Sequence, residues 1–200
     1  MSERVVLDRD DLRRTLVRIA HEIIEKNPEK AEGEGLAIVG IHTRGALIAR
    51  RLHAQISELS GESVPLGDVD IAFYRDDLEG RDPGDSPIVN SSHLDFDISG
   101  RTVVLVDDVL YTGRTVRAAI DVLFDYGRPH RVQLAVLADR GHRELPIRPD
   151  YVGKNLPTSF HERVNVQLEE VDGVDEVTIG GPRASAVTGN GSGDGPGEEA

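Results

Sequence analysis

Two adjacent carboxylates, Asp107 and Asp108, are followed at once by Val109-Leu110-Tyr111-Thr112-Gly113-Arg114-Thr115, a run that closes on hydroxyls, a glycine and a guanidinium. Thr112, Thr115 and Arg114 at the start of a helix make a phosphate cradle, because the first helical amides point at an anion and arginine adds bidentate charge. Asp107 and Asp108 repel phosphate, so they suit sugar hydroxyls, a metal ion, or both. Together these residues imply a ligand with phosphate, a diol and magnesium. An ordinary solvated turn, where Asp and Gly are common, is disfavoured by two consecutive Asp closing an apolar run. A P-loop fails on spacing, since it would need glycine at 108 and lysine at 114, where Asp108 and Arg114 stand. A second loop, Gly40-Ile41-His42-Thr43-Arg44-Gly45, could hold an anion in the same way, although many strand-to-helix turns look similar.

The elements that must position these groups follow from periodicity. Val103–Val106 reads as a central strand of a parallel sheet, buried on both faces, with the carboxylates at its end. In such sheets ligands collect beyond the carboxyl ends of the strands. Leu36–Ile41 is a first buried strand and Gly45 to Leu59 the following helix. A helix capped by Asp8 or Asp10 runs to Asn27, with Leu12, Leu16, Ile19 and Ile23 as its apolar stripe. Val69–Tyr74 alternates like a strand, and 75–92 reads as a long mobile loop or hairpin, of a length that in a compact domain is usually functional or disordered. A helix from Arg114 to Tyr126 stops at Gly127 and Pro129. Val132–Ala138 is a buried strand, and Tyr151–Gly153, Val164–Glu169 and Glu176–Ile179 are short closing strands. Alternating strands and helices predict an α/β fold, a doubly wound, mainly parallel sheet flanked by helices. Residues 1–180 form one domain, and 181–200 read as a disordered, Gly-rich acidic tail.

Composition bounds the function. The 200 residues, 38% of them hydrophobic, can bury one sizeable core. No cysteine is present, which excludes disulfides and thiolate zinc sites and fits the cytoplasm. No segment is long and apolar enough for a membrane span, so no membrane partner is expected. A net charge of −13 opposes indiscriminate nucleic-acid binding without excluding a local basic face. The cations are nearly all arginine, with lysine only at 26, 30 and 154.

The 103–115 segment resembles the phosphoribosyl-pyrophosphate (PRPP) signature of the type I phosphoribosyltransferases. More narrowly, the chain resembles the bifunctional pyrimidine (pyr) operon attenuation regulators and uracil phosphoribosyltransferases. That match rests on Tyr74-Arg75-Asp76-Asp77-Leu78, on the block from Asp139 to Arg148, and on the block from Tyr151 to Ser159. The resemblance implies a fold with a small hood and a flexible flap, the flap contributing Arg75. It assigns the 5-phosphate to Tyr111–Thr115, the ribose hydroxyls to Asp107 and Asp108, and the pyrophosphate to Thr43 and Arg44. Two anion loops on neighbouring strands are what a ligand with phosphate at both ends requires. Asp107, Asp108 and Arg44 would be catalytic, with Val109, Leu110 and Arg140 adding nucleotide contacts. Magnesium would accompany PRPP and meet Asp107 and Asp108 indirectly. Uracil would sit near Asp139-Arg140-Gly141 and the 151–159 segment.

A second function is implied by resemblance. Arg14, Arg18 and His21 form a helical stripe opposite the apolar one, and on pattern alone this is a solvated face. In the family this face joins the region of His142, Arg143, Arg148 and Lys154 to bind a pyr leader RNA stem-loop. Arg18, His21, His142, Arg143, Arg148 and Lys154 match, whereas Val17 stands where a threonine that contacts RNA is expected. With no aromatic platform beside these cations, recognition would come from arginine contacts to phosphates and unpaired bases. The resemblance thus implies control of RNA binding by uridine nucleotides, UMP or UTP, and a homodimer or homotetramer. Rival readings are a phosphoribosyltransferase without an RNA role, a regulator without useful catalysis, and a transferase acting on a purine base.

Overall fold

The structure, a computed structural model, describes residues 3–28, 35–72 and 92–181. The expected flap with Arg75, most of the 75–92 loop, and the tail from 182 onward lie outside the described residues. The order is β1 (Arg4–Leu7), α1 (Arg9–Lys26), β2 (Leu36–Ile41), α2 (Arg44–Ser60), β3 (Leu66–Val69), β4 (Thr102–Leu110), α3 (Arg114–Tyr126), β5 (Arg131–Asp139), β6 (Tyr151–Asn155), β7 (Arg163–Gln167), α4 (Glu169–Asp172) and β8 (Glu176–Gly180). α1 starts in a capping box: the Asp8 carboxylate accepts the Asp11 N–H at 2.8 Å, and the Asp11 carboxylate accepts the Asp8 N–H. At its other end the Asn27 amide donates to the Ile23 carbonyl at 2.8 Å, meeting one of the carbonyls the last turn leaves unpaired.

Five parallel strands make the main sheet in the order β3-β2-β4-β5-β6. Strand order reverses between β2 and β4, so the crevice at their carboxyl ends is the natural ligand site. β4 alternates its side chains between two cores, as the period of two requires. Val104 and Val106 face α1 and α2 through Leu16, Ile19, Ile48 and Leu52. Val103 and Leu105 face α3 through Val116, Ala119, Val122 and Leu123. All of these are buried, each aliphatic side chain contributing on the order of 1.5–3 kcal/mol. Helices cover both faces, which is the doubly wound arrangement expected.

The closing strands form a separate antiparallel sheet, β1-β8-β7. This small hood inserts Leu7, Val166, Leu168, Val177 and Ile179 into the α1–α2 core. One expectation needs correction and one element was missed. The third strand is Leu66–Val69, since residues 66–69 pair with 38–41 and chain pairing decides where a strand lies; of the expected Val69–Tyr74, only residues 69–72 are described, and 70–72 are not in a strand. Gly67 serves there because the backbone of His93 and the side chains of Leu94 and Phe96 cross it; an added Cβ would sit 2.6 Å from Leu94 Cδ2. β1, four residues with no clear alternation, was not expected at all.

Candidate active site

β4 does not stop ahead of its carboxylates. It runs through Asp107 and Asp108 to Leu110, held by β5 in a register that pairs Asp107 with Val136 and Leu110 with Asp139. The acidic pair is therefore mounted on a strand rather than on a loop, which fixes it more tightly. Asp107 is 6% exposed, and its Oδ1 accepts the Asp108 N–H at 2.9 Å. Asp108 Oδ1 accepts the Val109 N–H at 2.8 Å. A cleft of about 360 Å³ opens beside them, lined by Asp107, Val109 to Val116 and Glu144.

The 111–115 loop at the end of this cleft turns through Gly113, whose φ of 94° is costly for any residue with a Cβ. The helix α3 begins immediately after, so its first amides open toward the loop. A segment that sequence reasoning did not connect to this loop braces it. The Glu144 and Leu145 amides donate to the Thr112 carbonyl at 3.0 and 3.1 Å, and Arg143 donates to the Tyr111 carbonyl at 2.9 Å. Arg114 Nε donates to the Glu144 carboxylate at 2.7 Å, a surface pair that an anion can replace at little cost.

β2 lies directly beside β4, so the loop at 42–45 borders the same crevice. Thr43, exposed, is the N-cap of α2 and makes no side-chain cap bond; the peptide bond before it is cis. Gly45 permits a close approach to β4: a Cβ there would fall 2.6 Å from the Val106 carbonyl oxygen and 3.4 Å from Asp107 Oδ1. Arg44 reaches Asp172 in the hood, donating through Nη2 to both carboxylate oxygens at 2.8 and 3.1 Å. Its Nε is buried with no hydrogen-bond partner among the described residues. The Asp172 carboxyl lies below its ordinary range, first because the Leu168 backbone N–H donates to it and then because of Arg44. Nothing local in the sequence pointed to Asp172, although the acidic run ahead of Gly173 marks a turn.

The residues expected around the base and the RNA divide into two groups. Arg140 is 7% exposed; it stacks over the Tyr111 ring at 4.1 Å and donates to Thr158 Oγ1 and to the Ser159 and Glu162 carbonyls. It thereby ties Tyr111 to the 158–162 segment. Arg143 also turns inward, to Asp139 and the Ile147 carbonyl. His142 packs on Phe160 at 4.1 Å between ring centroids, and its Nε2 lies 2.6 Å from the Thr158 carbonyl oxygen. Arg18 donates to the Val152 and Gly153 carbonyls, and Lys154 to the Val6 carbonyl at 2.8 Å. The Arg18 bonds lay α1 against β6, and the Lys154 bond ties β6 to β1, so the helix face and the 148–154 region share one side of the molecule. His21 and Arg148 are exposed there. Beside them, Asp139, Gly141, Arg143, Arg148, Val152 and Asn155 line a second, more open cleft of about 560 Å³.

Comparison with known proteins agrees with this geometry. A phosphoribosyl transferase domain matches residues 9–170. The chain is 57% identical over 190 residues to the bifunctional protein PyrR of Roseiflexus sp. (strain RS-1), covering 94% of this chain and 100% of the relative. It is 58% identical over 177 residues to the protein of the same name from Deinococcus radiodurans, covering 88% and 94%. Among solved structures, a hypoxanthine phosphoribosyltransferase from Staphylococcus aureus superposes with a TM-score of 0.63 at 19% identity, covering 90% of this chain and 91% of that one. The hypoxanthine phosphoribosyltransferase of Trypanosoma cruzi gives 0.63 at 15% identity, covering 90% and 97%. The structural likeness speaks for the fold, and the sequence likeness narrows the family: the chain belongs to the phosphoribosyl transferases and, among them, to the bifunctional PyrR proteins.

Proposed function

We propose that this chain transfers the phosphoribosyl group of PRPP to uracil, giving UMP and diphosphate, and that it binds pyr leader RNA under the control of uridine nucleotides to attenuate pyrimidine biosynthesis genes. The observation that carries the catalytic half is the seating of Gly45 on the backbone of Asp107, which sets the two anion loops on adjacent strands around one acidic pair. Uracil N1 attacks C1 of the ribose as the bond from C1 to the pyrophosphate oxygen breaks, with inversion and loss of the N1 proton. Positive charge develops on the sugar ring, and a strand-mounted Asp107-Asp108 pair holds the diol and stabilises that charge. Tyr111 to Thr115 grip the 5-phosphate. Thr43 and Arg44 receive the pyrophosphate, for which Arg44 must exchange Asp172 for the ligand. Arg75 of the flap would help to exclude water.

The hard oxygen donors of Asp107 and Asp108 suit Mg²⁺ held with PRPP, largely through the ribose hydroxyls. When bound, Mg²⁺ neutralises charge on the leaving group as a Lewis acid. The regulatory half is supported by the juxtaposition of α1 and β6, which gathers Arg18, His21, Arg148 and Lys154 on one side. A homodimer or homotetramer in the cytoplasm completes the reading; none of the described helices is long and apolar enough to cross a membrane.

Pyrophosphate release from PRPP, measured with uracil, hypoxanthine and orotate side by side, tests the catalytic half. Uracil should be the working substrate, and preference for hypoxanthine or orotate would overturn the assignment. Filter binding of pyr leader RNA with and without UMP tests the other half. Absence of UMP-dependent retention would leave a phosphoribosyltransferase alone.

A further inference from the structure

We propose that His42, Asp68 and His93 form a site for a divalent transition ion of the zinc class, distinct from the Mg²⁺ that accompanies PRPP. Their donor atoms lie within 4.8 Å of one another. His42 Nε2 is 2.6 Å and His93 Nδ1 is 3.2 Å from the same oxygen, Asp68 Oδ1. The other oxygen, Oδ2, faces the Arg50 guanidinium at 3.9 Å, which leaves Oδ1 to the imidazoles.

Three separate pieces of backbone hold these side chains. His42 follows β2 and donates its N–H to the Val69 carbonyl at 3.0 Å. Asp68 lies in β3. His93 exchanges both backbone hydrogen bonds with Asp68, at 3.0 and 2.9 Å, in an antiparallel bridge. The carboxylate and His42 are mostly buried, with 13% and 17% of their side chains exposed, while His93 is 60% exposed and opens an entry path.

In a tetrahedral zinc site with bonds of about 2.0–2.1 Å, ligand atoms stand about 3.3 Å apart. The His93–Asp68 separation fits that spacing already. The His42–Asp68 separation opens by roughly 0.7 Å as an ion replaces the hydrogen bond. Two imidazoles and one carboxylate leave a fourth position for water. This donor set favours zinc, cobalt or nickel over magnesium, which prefers oxygen throughout. An ion here would tie the loop of Thr43 and Arg44 to the edge strand β3.

The full chain, stripped with chelator and returned to buffer with excess Mg²⁺, is titrated with Zn²⁺ by calorimetry and with Co²⁺ by visible absorption. One equivalent should bind with Kd at or below about 10 µM, and Co²⁺ should develop the absorption of a low-coordinate site. His93→Ala keeps the backbone bridge and should weaken both ions at least about tenfold. His161→Ala, at an exposed histidine elsewhere, should leave binding unchanged. Asp68→Asn should behave as His93→Ala does; if it fails to fold, His93→Ala decides. Absence of binding in Mg²⁺ buffer, or undiminished affinity in His93→Ala, would overturn the proposal.

Discussion

Replacing Gly45 with alanine tests whether the spacing between the two anion loops is set by direct contact. An alanine Cβ at this position would lie 2.6 Å from the Val106 carbonyl oxygen and 3.1 Å from Asp107 Cα. Both atoms belong to the backbone of β4, clamped between β2 and β5, so the strand cannot yield. Ordinary contact requires about 0.8 Å more room, and the first turn of α2 must move by that amount. The movement carries Thr43 and Arg44 away from Asp107 and widens the gap between the 42–45 loop and the acidic pair. A misplacement of 1 Å costs roughly 100-fold in rate, so 0.8 Å should lower kcat/KM for PRPP on the order of 30- to 100-fold. That corresponds to about 2–3 kcal/mol of barrier. Overpacking should also cost about 1–3 kcal/mol of stability, and for a domain of this size each kcal/mol lowers Tm by about 2–4 °C. The assay is pyrophosphate release against PRPP at saturating uracil, at 25 °C, beside a thermal melt by circular dichroism. A variant with unchanged kcat/KM and unchanged Tm would refute the reasoning, as would an effect confined to the KM for uracil.

The remaining predictions concern the acidic pair, the hood and the RNA face. Asp107→Asn or Asp108→Asn should cut turnover while preserving the melt, since asparagine keeps an acceptor for the next amide; full activity in either variant would sink its role. Arg51 joins Glu170 and Asp175 across the hood at 2.5 and 2.7 Å, and Arg51→Met should destabilise the fold by about 1–3 kcal/mol at pH 7. The carboxyls of Glu170, Asp172 and Asp175 all lie below their ordinary values; Arg51 is the chief cause at Glu170 and the Leu168 N–H at Asp172, while at Asp175 the pull of Arg51 and the Glu169 N–H outweighs burial. Their contribution is complete above the unfolded value of about 4 and is lost as pH falls through the lower folded values. Stability should therefore hold from neutral pH to about pH 5 and fall below about pH 4, and an Arg51→Met variant with the same acid loss would contradict the assignment. Arg148→Gln and His21→Asn should weaken binding of pyr leader RNA, Arg148→Gln reducing the salt slope by about 1; unaltered binding in both would remove this face from the RNA surface.

What could be read in advance was what is encoded locally. The apolar run 36–41 and the helix 114–126, bounded by Gly113 and Gly127, appear in the structure as expected. Asp107 and Asp108 were recognised as chemistry but misplaced as the end of a strand, because polar residues read as a boundary. Pairing with β5 overrides that preference. Contacts between distant segments were invisible. Arg44 and Asp172 are 128 positions apart, and their pairing depends on where the hood closes. The cluster of His42, Asp68 and His93 arises only because Asp68 and His93 bridge beside the end of β2. Arg140, expected as a nucleotide contact, and Arg143, expected on the RNA face, also bond several backbone carbonyls, which no local pattern announces.

The hood is woven from both ends of the described chain, with Arg4 opposite Ile179 and Leu7 opposite Val177. The parallel sheet needs only residues up to about 155, so it can assemble while the rest of the polypeptide is still being synthesised. β1 pairs with β8, so the hood cannot close until both ends of the described chain are present. Without the hood, Asp172 has no fixed place and Arg44 lacks that counterion. A nascent or C-terminally clipped chain would thus own both anion loops yet lack the hood that restrains Arg44, so ligand could reach Arg44 before the fold was complete.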